Sequence, residues 1–179
     1  MKKTSSAKNL ALLVVGISLV AGGGAFYVAG PSDDAPAQAP EAVLAAELPA
    51  PNPDLPVMKV WKSPTCGCCS KWVEHVRQAG FEVQVEDVQD IAAVKGEHGV
   101  AAPLQSCHTA LVDGYVVEGH VPAEDIVRLL EERPEVAGLA APGMPMGSPG
   151  MEMGDHKDAY DVLAFDREGK TSVWASHGK

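Results

Sequence analysis

The chain has 179 residues, of which 46% are hydrophobic, and a formal net charge of -10. This length and apolar content suit one folded domain with appended segments, and they exclude a chain that is disordered throughout. Acidic residues outnumber basic ones, and no Lys/Arg-rich block occurs outside the extreme N-terminus. Nucleic-acid binding is therefore disfavoured.

Residues 1–30 have the pattern of an export signal: lysines followed by an almost uncharged apolar run from Leu10 to Gly30. The run is close to the ~20 residues that span a bilayer. A cleaved signal peptide and a retained membrane anchor both fit this pattern. Both predict a periplasmic protein, either tethered to the inner membrane or secreted after cleavage.

Residues 31–56 contain half of the prolines of the chain and show no apolar periodicity, which predicts a Pro/Ala-rich linker. The folded domain is expected to span residues 57–179. Its first stretch, "VMKVW", predicts a short strand that ends at the turn signal Ser63-Pro64.

A helix is predicted next, because Cys69, Trp72, Val73 and Val76 recur at the spacing of one helix face and Gly80 stands at a natural stop. "FEVQVEDV" alternates as a half-buried strand, and residues 90–98 predict a short helix.

The segments "CHTALV" and "YVVEG" flank Asp113-Gly114, a strong hairpin signal, and a further helix is expected to start near Pro122. The resulting order, βαβαββα, is similar to the thioredoxin fold. The predicted class is α/β, with a mixed central sheet flanked by helices.

Residues 138–154 form a Gly/Pro/Met-rich segment that is predicted to be a loop too broken for regular structure. "YDVLAF" and "TSVWAS" then predict a C-terminal hairpin around "DREGK".

The four cysteines are Cys66, Cys68, Cys69 and Cys107. Adjacent cysteines bridge each other only with strain, so the comfortable pairs are Cys66 with Cys69 and Cys68 with Cys107. Two structural disulfides in an oxidising compartment, or a redox dithiol of Cys66 and Cys69, are both open alternatives.

All four sulfurs are expected to converge on one site. Cys66, Cys68 and Cys69 lie where a strand leads into a helix N-terminus, which favours thiolates. Cys107 begins a strand that should run antiparallel to the first one, and this topology brings it beside the cluster.

Charge then distinguishes the metals that four thiolates can hold. One zinc ion would leave about -2 and one copper(I) ion would leave -3, whereas four copper(I) ions bridged by four thiolates are neutral. Soft thiolates also select copper(I), and bridging sulfurs accommodate adjacent cysteines. Copper(I) in a multinuclear thiolate site is the leading hypothesis.

Other candidate ligands lie outside the cysteine cluster. His120 follows the second hairpin strand and should return to the same end of the sheet, whereas strand alternation should turn His108 to the face opposite Cys107. Met144 and Met146, with two further methionines in the same loop, offer thioethers that suit copper(I) or serve as packing. Trp61 and Trp72 are expected to be core residues that flank the site.

Three blocks carry a family resemblance: "SPTCGCCSKWVEHVRQAGFEV", "SCHTALVDGYVVEGHVPAEDI" and "GLAAPGMPMGSPGME". They resemble the periplasmic CopG-type copper-resistance proteins, a thioredoxin-like metal-binding family. The resemblance implies copper binding by the four cysteines, in copper tolerance. It does not extend to the N-terminal segment or the linker.

The sequence thus predicts an exported copper(I)-binding protein in copper resistance or homeostasis. Its expected partners are copper ions, other periplasmic copper-handling proteins and, through residues 1–30, the membrane. A metal-binding role is favoured over an enzymatic one. The alternatives are a periplasmic thiol-disulfide oxidoreductase that uses Cys66 and Cys69, and a domain stapled by structural disulfides.

Overall fold

A computed structural model of the protein describes residues 48–178. Its helices are α1 (Gly67–Gln78), α2 (Ile91–Glu97) and α3 (Ala123–Glu132). Its strands are β1 (Met58–Lys62), β2 (Val83–Asp87), β3 (His108–Val112), β4 (Tyr115–Gly119), β5 (Gly138–Ala141), β6 (Tyr160–Phe165) and β7 (Thr171–His177). The predicted order βαβαββα and the closing hairpin are confirmed.

All seven strands form one mixed sheet in the order β2-β1-β3-β4-β5-β6-β7. The β1–β2 and β4–β5 pairs are parallel, and the other neighbours are antiparallel. The mixed α/β class is therefore confirmed, whereas the closer likeness to the thioredoxin fold stays a prediction.

The helix α1 buries the face that its sequence predicted, with Cys69, Trp72, Val73 and Val76 inside. Together with α3 it covers the sheet face that carries the alternate residues Met58 and Val60 of β1, and this layer is the main apolar core. The predicted hairpin is also present. Asp113 and Gly114 both have positive φ angles, 47° and 86°, as a tight two-residue turn requires.

The prediction that residues 138–154 lack regular structure is wrong for their first four residues. Gly138–Ala141 form β5, which is buried and pairs in parallel with β4. Gly138 lies against the backbone of Val116, where a Cβ atom would collide with the carbonyl oxygen. Small side chains let this short strand enter the sheet, and such a run has no periodicity from which a strand can be recognised.

The predicted export segment and most of the predicted linker lie outside the described residues. Within residues 48–178, no helix is long and apolar enough to cross a membrane. Residues 48–57 precede β1 without regular secondary structure, apart from a turn around Pro53 and Asp54.

Candidate metal centre

The first turn of α1 carries three of the four cysteines. Cys66 is the N-cap residue, and its Sγ accepts a hydrogen bond from the backbone N–H of Cys69 at 3.4 Å. This side-chain acceptor satisfies one of the free N–H groups of the helix start. A disulfide joins Cys66 to Cys69, with their Cα atoms 5.4 Å apart.

Cys107 completes the cluster from the loop that precedes β3. Its Sγ lies 4.0 Å from Sγ of Cys68, which in turn lies 3.5 Å from Sγ of Cys66. The four sulfur atoms all lie within 4.8 Å of one another. The predicted convergence of the cysteines is confirmed, and Cys68 and Cys107 are free thiols.

A buried ion pair holds the loop that carries Cys107. The Glu118 carboxylate accepts a hydrogen bond from the backbone N–H of Ser106 at 2.6 Å and pairs with Lys95 Nζ at 2.5 Å. Thr109 donates to the other carboxylate oxygen at 2.7 Å. The residue before Cys107 is thereby fixed to β4.

Two buried imidazoles contact Cys107. Its Sγ lies 3.0 Å from Nε2 of His120 and 3.3 Å from Nδ1 of His108. Both side chains have no solvent exposure. The predicted position of His120 at the cysteine end of the sheet is thus confirmed.

The expectation that His108 turns away from Cys107 is wrong. Strand alternation holds only within a strand, and β3 begins at His108, so Cys107 lies outside the pleat. The His108 ring packs against Trp72 at a centroid distance of 4.3 Å and meets the His120 ring edge-on at 5.0 Å.

Burial dominates the ionisation of this group. Together with the neighbouring Cys68, which contributes less, it raises the pKa of the Cys107 thiol to about 12. Burial also lowers the pKa of His108 well below its ordinary value and lowers that of His120. In the metal-free state the group therefore holds a protonated thiol beside two neutral imidazoles.

The methionine-rich loop doubles back onto the site. The carbonyl oxygen of Pro149 accepts a hydrogen bond from Nδ1 of His120 at 2.7 Å. The next residue, Gly150, packs so closely on α1 that a Cβ atom would lie 2.7 Å from the carbonyl oxygen of Cys68. The loop is therefore part of the wall of the site.

The methionines of this loop differ in exposure. Met144 is 54% exposed and Met153 is 62% exposed, whereas Met146 and Met151 are half-buried. Whether Met144 and Met146 bind metal stays a prediction.

The two tryptophans also differ from one another. Trp72 is a core residue whose indole N–H donates to the carbonyl of Val121 at 2.8 Å. The expectation that Trp61 is a core residue is wrong, because Trp61 is half-buried on the other face of the sheet, where it packs on His98.

Sequence reasoning missed the contact of His108 and the ion pair of Lys95 with Glu118. The available signal was the sequence Cys107-His108, followed by a hairpin and then His120. The first and last residues of such a hairpin lie side by side at the same end of the sheet. Nothing in the sequence distinguishes Lys95 from the lysines that face solvent.

The site offers different donors in its two oxidation states. With the disulfide closed, the free donors are two thiols and two imidazoles. Reduction adds two further thiols, because the disulfide takes up two electrons and two protons. The arrangement can hold soft metal ions, and its dithiol can exchange electrons with other thiols.

Comparison with known proteins gives two solved structures. The first, titled "Copper resistance protein copG- Form 1", is 47% identical, with a TM-score of 0.66, and the match covers 69% of this chain and 99% of that one. The second, titled "Copper resistance protein copG- Form 2", is 46% identical, with a TM-score of 0.67, over 70% of this chain and 100% of that one. Residues 104–151 match a family model described as "Protein of unknown function, DUF411". A search of curated proteins found no match.

Proposed function

Since the chain belongs to the CopG-type family of copper-resistance proteins, we propose that it binds copper(I) through Cys66, Cys68, Cys69 and Cys107. The site is multinuclear, and the protein acts in copper resistance or homeostasis. The observation that carries this proposal is the convergence of four sulfur atoms within 4.8 Å of one another.

Close packing of the sulfurs favours several bridged ions over one. In a bridged cluster each thiolate contacts more than one copper(I) ion, so adjacent cysteines at the start of α1 can both serve as ligands. Four thiolates with four copper(I) ions are neutral, which suits a site where burial penalises charge. The helix N-terminus further stabilises the thiolates.

Copper loading begins with reduction of the Cys66–Cys69 disulfide. A reductant of the dithiol class supplies two electrons and two protons and itself becomes a disulfide. Binding then releases the thiol protons, including that of Cys107, so copper affinity rises with pH.

Three further residues are proposed as auxiliary ligands. The Nε2 atom of His120 already faces Cys107, while Met144 and Met146 offer thioethers on the loop that borders the site. The export pattern of residues 1–30 supports a periplasmic location, tethered to the inner membrane or secreted after cleavage. Other copper-handling proteins of that compartment are the proposed partners.

The test is copper(I) titration of the full chain after anaerobic reduction, with metal content and free thiols counted on the same sample. We expect several copper ions per chain, and we expect Cys107→Ser to lose most of them, as Cys66→Ser does. The physical reason is that three thiolates no longer neutralise four copper(I) ions. A loss of only a quarter of the copper in Cys107→Ser would contradict a bridged cluster.

The disulfide at the start of α1 favours a second candidate, a thiol-disulfide oxidoreductase on a thioredoxin-like scaffold. In this reaction a substrate dithiol gives two electrons and two protons to the Cys66–Cys69 disulfide and is itself oxidised to a disulfide. Only Cys66 and Cys69 are needed. Full disulfide-exchange activity in Cys68→Ser and Cys107→Ser, with no copper bound by the wild type, would favour this candidate over the first.

A further inference from the structure

The buried group of Cys107, His108 and His120 presents a second set of metal donors. One sulfur and two imidazole nitrogens lie within 4.8 Å of one another. Cys107 is shared with the cysteine cluster, but neither histidine belongs to it. We propose that, when the Cys66–Cys69 disulfide is closed, this group binds a single divalent ion of the zinc class, with Cys68 as the fourth donor.

The observed distances are close to the edges of a tetrahedral site. Zinc bonds of about 2.3 Å to sulfur and 2.0–2.1 Å to nitrogen imply edges of about 3.8 Å between two sulfurs and about 3.5 Å between sulfur and nitrogen. Cys107 Sγ lies 4.0 Å from Cys68 Sγ, 3.3 Å from Nδ1 of His108 and 3.0 Å from Nε2 of His120. Cys68 is not among the residues that lie within 4.8 Å of both imidazoles. To act as the fourth donor, its side chain would move toward them.

The environment of His120 is that of a metal-binding imidazole. Metal-bound histidines usually donate their second ring N–H to a carbonyl or a carboxylate, which fixes the tautomer and the ring plane. Here Nδ1 of His120 donates to Pro149, and Nε2 faces Cys107. The lone pair is thus directed at the proposed ion position before any ion arrives.

His108 supplies an independent observation. It is fully buried, its Nδ1 faces Cys107, and its Nε2 has no hydrogen-bond partner among the described residues. The Nδ1 atom is the one available to the proposed ion, because it lies on the side of the ring that carries the Cys107 sulfur. The core therefore places a second imidazole nitrogen against the same sulfur that Nε2 of His120 faces.

Charge explains why the disulfide selects the metal. Two thiolates and two neutral imidazoles leave a divalent ion with no net charge, whereas the same ion in four thiolates carries about -2. Closing the disulfide removes two thiolates and leaves the neutral divalent set. The oxidised site therefore takes one zinc-class ion, and the reduced site takes copper(I).

The test uses cobalt(II), whose absorption reports both tetrahedral geometry and thiolate ligation, added to the full chain with the disulfide closed. We expect one cobalt ion per chain with strong tetrahedral and sulfur-to-cobalt bands. Cys66→Ser/Cys69→Ser, which removes two thiolates as the disulfide does and keeps a good N-cap at position 66, should give the same spectrum.

Two histidine variants complete the design. His120→Gln should weaken cobalt affinity at least roughly tenfold, since even loss of an outer hydrogen-bond partner costs about 10–100-fold. The exposed His156→Ala is the matched control and should bind as the wild type does.

An octahedral spectrum, absence of binding, or unchanged affinity in His120→Gln would each overturn the proposal. The result is independent of the copper(I) titration, which is made on the reduced chain, so either proposal can fail alone.

Discussion

Two buried polar groups lie beside the hairpin β3–β4, and they differ in how completely they are paired. On the α2 face, Lys95, Thr109 and Glu118 bond to one another, and the charges cancel. On the α1 face, His108 turns its Nδ1 to Cys107, and its Nε2 has no hydrogen-bond partner among the described residues. The polar atoms of the first group are all paired within the group, whereas one imidazole nitrogen of the second has no partner.

This difference indicates whether a buried polar group stabilises the fold or binds a ligand. A self-satisfied ion pair fixes the backbone, here through the bond from Ser106 to Glu118. A group that the fold leaves partly unpaired is preorganised for something that arrives later. The two groups should respond oppositely to substitution.

The largest expected effect is on the paired group. Lys95→Met leaves the Glu118 carboxylate buried without its cation, which should lower the free energy of unfolding by about 3–5 kcal/mol in urea titrations. The matched control is Lys59→Met, which breaks the exposed pair with Glu86 and should not move the transition measurably. Equal effects of the two variants would show that burial does not distinguish the pairs.

The loop that orients His120 should be the next most sensitive element. Gly150 has a φ of 84°, and a Cβ atom there would lie 2.7 Å from the carbonyl oxygen of Cys68 and 2.8 Å from the backbone nitrogen of Trp72. Gly150→Ala should therefore destabilise by roughly 2–4 kcal/mol, combining left-handed strain with overpacking. It should also weaken cobalt binding, because the loop carries the Pro149 carbonyl that orients His120.

Gly154→Ala is the control for the loop, since Gly154 has a φ of 68° and a Cβ atom there would meet nothing within 4 Å. Only the strain of about 1–2 kcal/mol should remain. Thermal or urea unfolding of the two variants measures the difference, and a larger loss in Gly154→Ala would rule out close contact of the loop with α1.

Substitution in the incompletely paired group should barely change stability. His108→Leu removes the unpaired nitrogen at similar volume, so metal-free unfolding should shift by less than about 1 kcal/mol in either direction. Cobalt binding by the oxidised chain should be lost. A loss of stability as large as that of Lys95→Met would assign His108 to the structural group.

The last prediction concerns the rate at which the Cys107 thiol is alkylated in the unsubstituted chain. Because burial raises its pKa to about 12, little thiolate is present near neutral pH in the folded chain. At pH 8, iodoacetamide should modify Cys107 at least roughly tenfold more slowly than in the urea-denatured chain. The gap should narrow as pH rises toward 12, and site-resolved mass spectrometry measures it. Equal rates at pH 8 would contradict a buried thiol.

The sequence predicted the elements that have a clear period or turn signal. The apolar face of α1 and the Asp113-Gly114 hairpin are local patterns, and the topology that follows from them brings Cys107 to the other cysteines. The placement of His120 follows from the same hairpin. These parts of the fold and the site require no knowledge of packing beyond the sheet itself.

The sequence could not predict features that depend on contacts between distant segments. Three of the four residues of β5 are glycine or alanine, which give no period, and its pairing with β4 decides its structure. The burial of Lys95 depends on Glu118, 23 positions further along the chain. The bond from His120 to Pro149 depends on how the loop folds back.

Cys107 belongs to both candidate donor sets, the four sulfurs and the trio with two imidazoles. Loss of Cys69 or His108 removes a donor from one set only, whereas loss of Cys107 removes a donor from both. The cysteines at the start of α1 and the two histidines can therefore change independently of one another in evolution. A substitution at position 107, in contrast, alters both donor sets. In a saturation mutagenesis library selected separately for each metal, substitutions at position 107 should fail in both selections.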